Sequence, residues 1–166
     1  DVREPIAWGL VVVLLLVVCV GLYLTTSQRI NKAYALPKEQ IVIPVESESI
    51  KRGQRLVVAR CAGCHGENLA GTILFQDPNL GTISAANLTA GRGTGGVSLQ
   101  DADYIRAIRH GIDHTGRPIL TMPSDSFYYI SDQELGEMVA FLMSTQSVEN
   151  SLPETRVKPL GIVLIG

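Results

Sequence analysis

Cys61-Ala62-Gly63-Cys64-His65 gather two thiols and an imidazole into five consecutive residues. Two thiols at this spacing, at the end of a helix, can each form a thioether to one porphyrin vinyl group. The neighbouring imidazole is then delivered to an axial face of the iron. The pattern predicts one covalently attached c-type haem, bonded through Cys61 and Cys64 and ligated by His65. Two plainer chemistries compete, because a Cys-x-x-Cys pair alone can be a redox dithiol or half of a zinc site. The dithiol reading expects a βαβ context, which the sequence lacks. The zinc reading would borrow His110 and His114. The gap from Cys64 to His110 is far longer than that of a zinc finger, and Gly111 breaks the helix that would aim both histidines at one metal. A zinc-stabilised interaction module is kept as the third reading.

The second axial position decides what such a haem does. Left open or labile, it makes a haem enzyme or a gas sensor; filled by a protein ligand, it makes a carrier of single electrons. Met122, in the loop segment Pro118 to Ser124 and followed by the stiffening Pro123, is the expected ligand opposite His65. Met138 and Met143 share one helical segment and are expected to pack. His110 and His114 are the remaining competitors. Met/His ligation raises the reduction potential, and His65 should donate its other ring N–H to a backbone carbonyl, expected in the Asp77 to Gly81 loop. Asn87, Thr89, Arg92, Arg106 and Arg109 are candidates to bond the haem propionates.

Two kinds of element must carry this site. From Ile6 to Leu24 no residue is charged, and a helix of that length rises about 28 Å, close to the hydrocarbon thickness of a bilayer. Trp8 and Tyr23 suit the two interfacial belts. A cleaved signal peptide would explain the same stretch, with Ala33-Tyr34-Ala35 as the cleavage site, but the apolar run is longer than a usual signal core and the site lies late. The expectation is a retained transmembrane anchor over residues 1–25. Arg29, Lys32 and Lys38 follow it while Arg3 stands alone before it, so positive charge alone would place the following domain inside. Covalent haem argues for the outer face, and that side is expected. The sequence does not open on methionine, so upstream residues that would enter this count are expected.

Residues 26–46, interrupted by Pro37 and Pro44, read as an extended linker. A helix is expected from Ser47 or Ser49 into Cys61, with Gly53 marking a close helix crossing. The stretch from Gly66 to Thr94 reads as loop around the haem. Gly91 to Gly96 formally matches a nucleotide-binding glycine pattern, but no apolar strand precedes it. Ser98 to Asp101 is a capping pattern for a helix ending near His110, with Gly111 as its left-handed stop. Ser131 and Glu134 cap a further helix with Leu135, Met138, Val139 and Leu142 on one face, and Phe141 is expected to press on Gly53. The tail 151–166 reads as extended, its apolar end either docking on a partner or closing an edge of the same domain. A formal net charge of −2 gives no overall field for nucleic acid, which is not expected as a partner.

Gly53, Cys61, Cys64, His65, Met122 and Phe141 together resemble the pattern of a class I cytochrome c. Asn87-Leu88-Thr89, the segment Ile105 to Gly111 and Met122-Pro123 are similar to membrane-anchored mono-haem subunits of bacterial respiratory complexes and dehydrogenases. The resemblance implies an all-α haem domain over residues 47–150, preceded by one N-terminal transmembrane helix. It implies electron transfer rather than bond chemistry, within a respiratory or photosynthetic assembly such as one resembling alternative complex III. The expected partners are other subunits, a haem or copper protein as donor or acceptor, and membrane lipid. The long tail departs from the compact family domain and favours an integrated subunit.

Overall fold

The computed structural model describes residues 3–37, 39–91 and 99–166. Helix α1 (Arg3–Asn31) contains the uncharged run and continues well past Leu24, so the first residues assigned to the linker are helical. Its span Glu4–Asn31 is long and apolar enough to cross a membrane, and none of its most apolar window is buried.

The haem-motif domain is built on two crossed helices, α2 (Ser47–Arg60) and α6 (Asp132–Ser144). Ser47 is the first helical residue of α2 rather than its cap, which is Glu46. Ser131 caps α6 reciprocally with Glu134, as the sequence pattern predicts. Val57 of α2 and Leu135, Met138 and Val139 of α6 are wholly buried where the two helices meet. Gly53 permits the contact: a Cβ there would lie 1.9 Å from the Glu137 carbonyl oxygen. The close crossing expected at Gly53 is made against the α6 backbone at Glu137, one helical turn before Phe141. Met143, expected to pack, is half exposed at the end of α6.

Helix α4 (Asp101–His110) and the short α5 (Ser124–Phe127) close the core with Tyr104, Ile105, Ile108 and Phe127. Gly111 ends α4 in the left-handed conformation, φ 63°, as the glycine predicts. The α4 cap is Gln100, whose backbone N–H donates to Asp103 at 3.0 Å; Ser98 lies outside the described residues.

An all-α domain is not what forms. The fold is mostly helical, but strands β1 (Thr72–Asp77), β2 (Gly81–Ala85) and β3 (Arg156–Val157) make an antiparallel sheet in the order β1-β2-β3. The Gly66–Thr94 stretch and the tail, both read as irregular, supply these strands. Their sequence signal is weak because a bulge between Ile73 and Phe75 breaks the alternation and the third strand has only two residues. After β3, helix α7 (Pro159–Ile165) begins on proline and packs against α1.

Residues 32–46 form no helix or strand among those described, yet they are fastened to the domain. Tyr34 N–H donates to the Gly116 carbonyl at 2.8 Å. Glu39 bonds both Arg109 and His110, and the Val42 carbonyl sits where a Cβ on Gly136 would be.

Candidate haem site

Helix α2 ends by handing the chain to Cys61, whose N–H is taken by the Val57 carbonyl. The single turn α3 (Ala62–His65) follows, with Cys64 and His65 N–H both donating to the Cys61 carbonyl. The motif is thus one hydrogen-bonded turn extending a core helix. Cys61 packs half-buried against the core cluster while Cys64 is exposed. Burial pushes the Cys61 thiol up to about 11, outweighing the opposing charge of Arg60. A thiol raised in this way is not activated as a nucleophile.

His65 is partly buried, and burial lowers its pKa against the opposing pull of a backbone hydrogen bond. That bond joins Nδ1 to the Ala86 carbonyl oxygen at 2.8 Å. A carbonyl only accepts, so Nδ1 carries the proton and Nε2 keeps its lone pair. The orienting carbonyl therefore comes from the residue after β2, not from the Asp77 to Gly81 loop. That loop is the hairpin turn, where the Asp77 carboxylate accepts from Asn79 and Leu80 N–H. A backbone acceptor has no side-chain signature, so no residue type could have revealed Ala86.

Met122 is partly buried and packs on the same core cluster as Cys61, Ala62, Leu88 and Leu99. Its loop is fixed immediately downstream, where the Met122 carbonyl accepts from Ser124 N–H at 2.8 Å as α5 begins. A neutral imidazole with a directed lone pair, two thiols on one turn and a thioether at the edge of the same apolar cluster are a donor set that fits a covalently held haem.

Among the described residues the polar candidates bond to the protein itself. Asn87 is buried, donating to the Val148 carbonyl and accepting from Thr89 N–H and Oγ1; with Thr89 it ties the segment after α6 to the domain. Arg106 pairs with Asp103 at 2.6 Å and donates through Nε to the Asp113 carbonyl. Arg109 bonds Glu39, the Ile130 carbonyl and Asp132, while its buried Nε has no partner among the described residues. Arg92 lies outside the described residues. Glu39, which carries no motif, is the residue that sequence reasoning passed over. Burial pushes its carboxyl up, but the bonds from His110 and Arg109 prevail and hold it below the usual range.

The zinc reading fails on geometry. His110 donates through Nε2 to Glu39, His114 is exposed, and no three His, Cys, Asp or Glu side chains among the described residues converge to hold a metal ion.

Residues 50–146 match the family described as Cytochrome c. The gluconate 2-dehydrogenase cytochrome c subunit of Pantoea cypripedii is 32% identical over 100 residues, covering 57% of this chain and 22% of that protein. A nicotinate dehydrogenase subunit of Pseudomonas putida is 30% identical over 140 residues, covering 76% of this chain and 12% of that protein. The chain thus spans about a fifth and about an eighth of the curated relatives it matches.

Proposed function

This chain belongs to the cytochrome c family, and from that premise we propose that it is a membrane-anchored subunit passing single electrons through one haem. The haem, covalently bound in this family, stores and releases one electron. In our reading Cys61 and Cys64 would tether it, and His65 Nε2 and Met122 Sδ would hold its iron. The observation that carries the reading is the His65–Ala86 hydrogen bond, which holds the ring proton on Nδ1 and aims Nε2 before any ligand arrives. The Met122 thioether favours the reduced state and so a relatively high potential. The protein itself supplies ligands, orientation and a low-dielectric wall, and no bond-making residue.

The chain is anchored by α1 in a bacterial cytoplasmic membrane, with the haem domain on the outer face, where covalent haem is attached. Its partners are the other subunits of an electron-transfer assembly. The two relatives, named as dehydrogenase subunits, support a dehydrogenase as donor. A quinol-oxidising assembly resembling alternative complex III is the other form that a chain of this design would serve, with a haem or copper protein as acceptor.

Visible spectra of the oxidised and reduced protein, with and without carbon monoxide, test the ligand set. A weak long-wavelength ferric band from iron–thioether bonding, and no response to carbon monoxide, are expected. A large carbon monoxide shift means an open iron and replaces the carrier with a haem enzyme or sensor.

A further inference from the structure

Helix α7 consists of Pro159, Leu160, Gly161, Ile162, Val163, Leu164 and Ile165, with no polar side chain. One face is used. Gly161 and Ile162 are buried, Gly161 lying so close to Leu80 that a Cβ would sit 2.5 Å from its carbonyl oxygen. Gly166, just past the helix, meets Thr26 of α1, which is buried beneath it. Leu22, Tyr23, Ser27 and Ile30 of α1 are partly covered along the same stripe. The other face is bare: Leu160, Leu164 and Ile165 are 53%, 66% and 55% exposed. A helix apolar on all sides is at home only where every side is dry.

The position of α7 identifies what covers it. Thr26 follows Leu24, the last residue of the apolar run of α1, so α7 lies beside the end of the segment that would cross the bilayer. Its bare face continues the apolar surface that α1 presents through Val20 and Leu24, both about half exposed. Charges flank rather than enter this surface. Arg29 follows the apolar run of α1, and the exposed Arg156 precedes α7, where basic side chains can reach lipid phosphates.

We infer that Leu160, Leu164 and Ile165 lie in the acyl boundary of the bilayer that α1 crosses, so that the haem domain stands on two membrane contacts. The inference rests on α1 being a membrane span. An apolar helix set in the interfacial layer beside a span adds contact area without crossing the membrane. It also removes the rotation that a single span would allow.

The test uses the haem-loaded full chain in vesicles of phosphatidylcholine and phosphatidylglycerol, with a trace of phosphatidylcholine carrying a photoreactive diazirine on its acyl chain. After irradiation, labelled peptides are mapped by mass spectrometry. Adducts on both α1 and residues 159–165 are expected. Adducts on α1 alone overturn the inference and leave the anchor standing, which is also the result if a second copy of the chain covers α7. Adducts on neither overturn the anchor and the inference together. In Leu164→Asp the α7 adduct should be lost while the α1 adduct persists, because a short carboxylate at that face can neither sit among acyl chains nor reach past them to water. An undiminished α7 adduct in that variant overturns the inference as well.

Discussion

The Glu137 carbonyl oxygen occupies the space that a Cβ on Gly53 would take, 1.9 Å from where that carbon would sit. Helices α2 and α6 therefore touch backbone to backbone, and the helix that leads into the haem motif is set by the helix farthest from it in the domain sequence. In Gly53→Ala the gain in helix propensity of about 1 kcal/mol is outweighed by the forced separation. Overpacking costs about 1–3 kcal/mol in ordinary cores and more against backbone. A net loss of about 2 kcal/mol or more, read as a lower denaturant midpoint of the haem-loaded protein, is expected.

Arg109 joins three parts of the chain, Glu39 before the domain, the Ile130 carbonyl and Asp132 at the start of α6. Its side chain is only 11% exposed. Arg109→Ala leaves the Glu39 carboxylate with half its partners and should cost about 2–3 kcal/mol. Arg109→Lys should recover little of this, since one ammonium cannot reproduce the planar fork. Chemical denaturation of the three proteins separates the outcomes.

The same clasp is sensitive to acid. Burial would raise the Glu39 pKa, but the bonds from His110 and Arg109 lower it overall. A carboxyl with a depressed folded pKa adds stability that is present above its unfolded value and lost as pH falls through the folded one. Proteolytic cleavage within residues 32–46 should therefore accelerate as pH drops below the ordinary carboxylate range. In Glu39→Gln cleavage should be fast at neutral pH and nearly independent of acid, with the haem spectrum unchanged.

Met122→His should keep both axial positions filled while replacing a thioether with an imidazole. The reduction potential should fall, by a fraction of the roughly 0.8 V range that axial ligands span, as measured by redox titration. Met122→Ala should bind carbon monoxide when reduced. An unchanged potential in the first variant together with no carbon monoxide binding in the second would remove Met122 from the iron.

Helices α4 and α6 were legible because each has its own punctuation. Gly111 stops α4, Ser131 and Glu134 start α6, and Leu135, Met138, Val139 and Leu142 mark its buried side. The sheet was not legible, because β1 is interrupted by a bulge and β3 is too short to show any period. Helix α7 was hidden for a related reason: seven residues cannot display a helical repeat, and Pro159 reads as an end as readily as a beginning. Cys61, Cys64, His65 and Met122 carry chemistry in their side chains, so type and spacing are enough to single them out as candidates. Ala86 contributes only a carbonyl, and Glu39 gains its role only when the chain folds back on α4. Arg106 and Arg109 were legible as charges, but the carboxylates they pair with were not. Arg106 and Arg109 each have a carboxylate of the fold nearby, and which partner a surface arginine chooses is settled by tertiary structure.

Residues 34–42 touch the domain at Gly116, at Arg109 and His110, and at Gly136. A free segment joining α1 to α2 would be a leash, letting the domain wander over about 20 Å. Held at three points, it is a bracket. A domain on a leash can collect an electron in one place and deliver it in another; a domain on a bracket must wait for both partners to come within reach. Its rate of turnover is then set by how often neighbours arrive or how closely they are parked, and lengthening the chain between α1 and α2 would gain nothing until the clasps are undone.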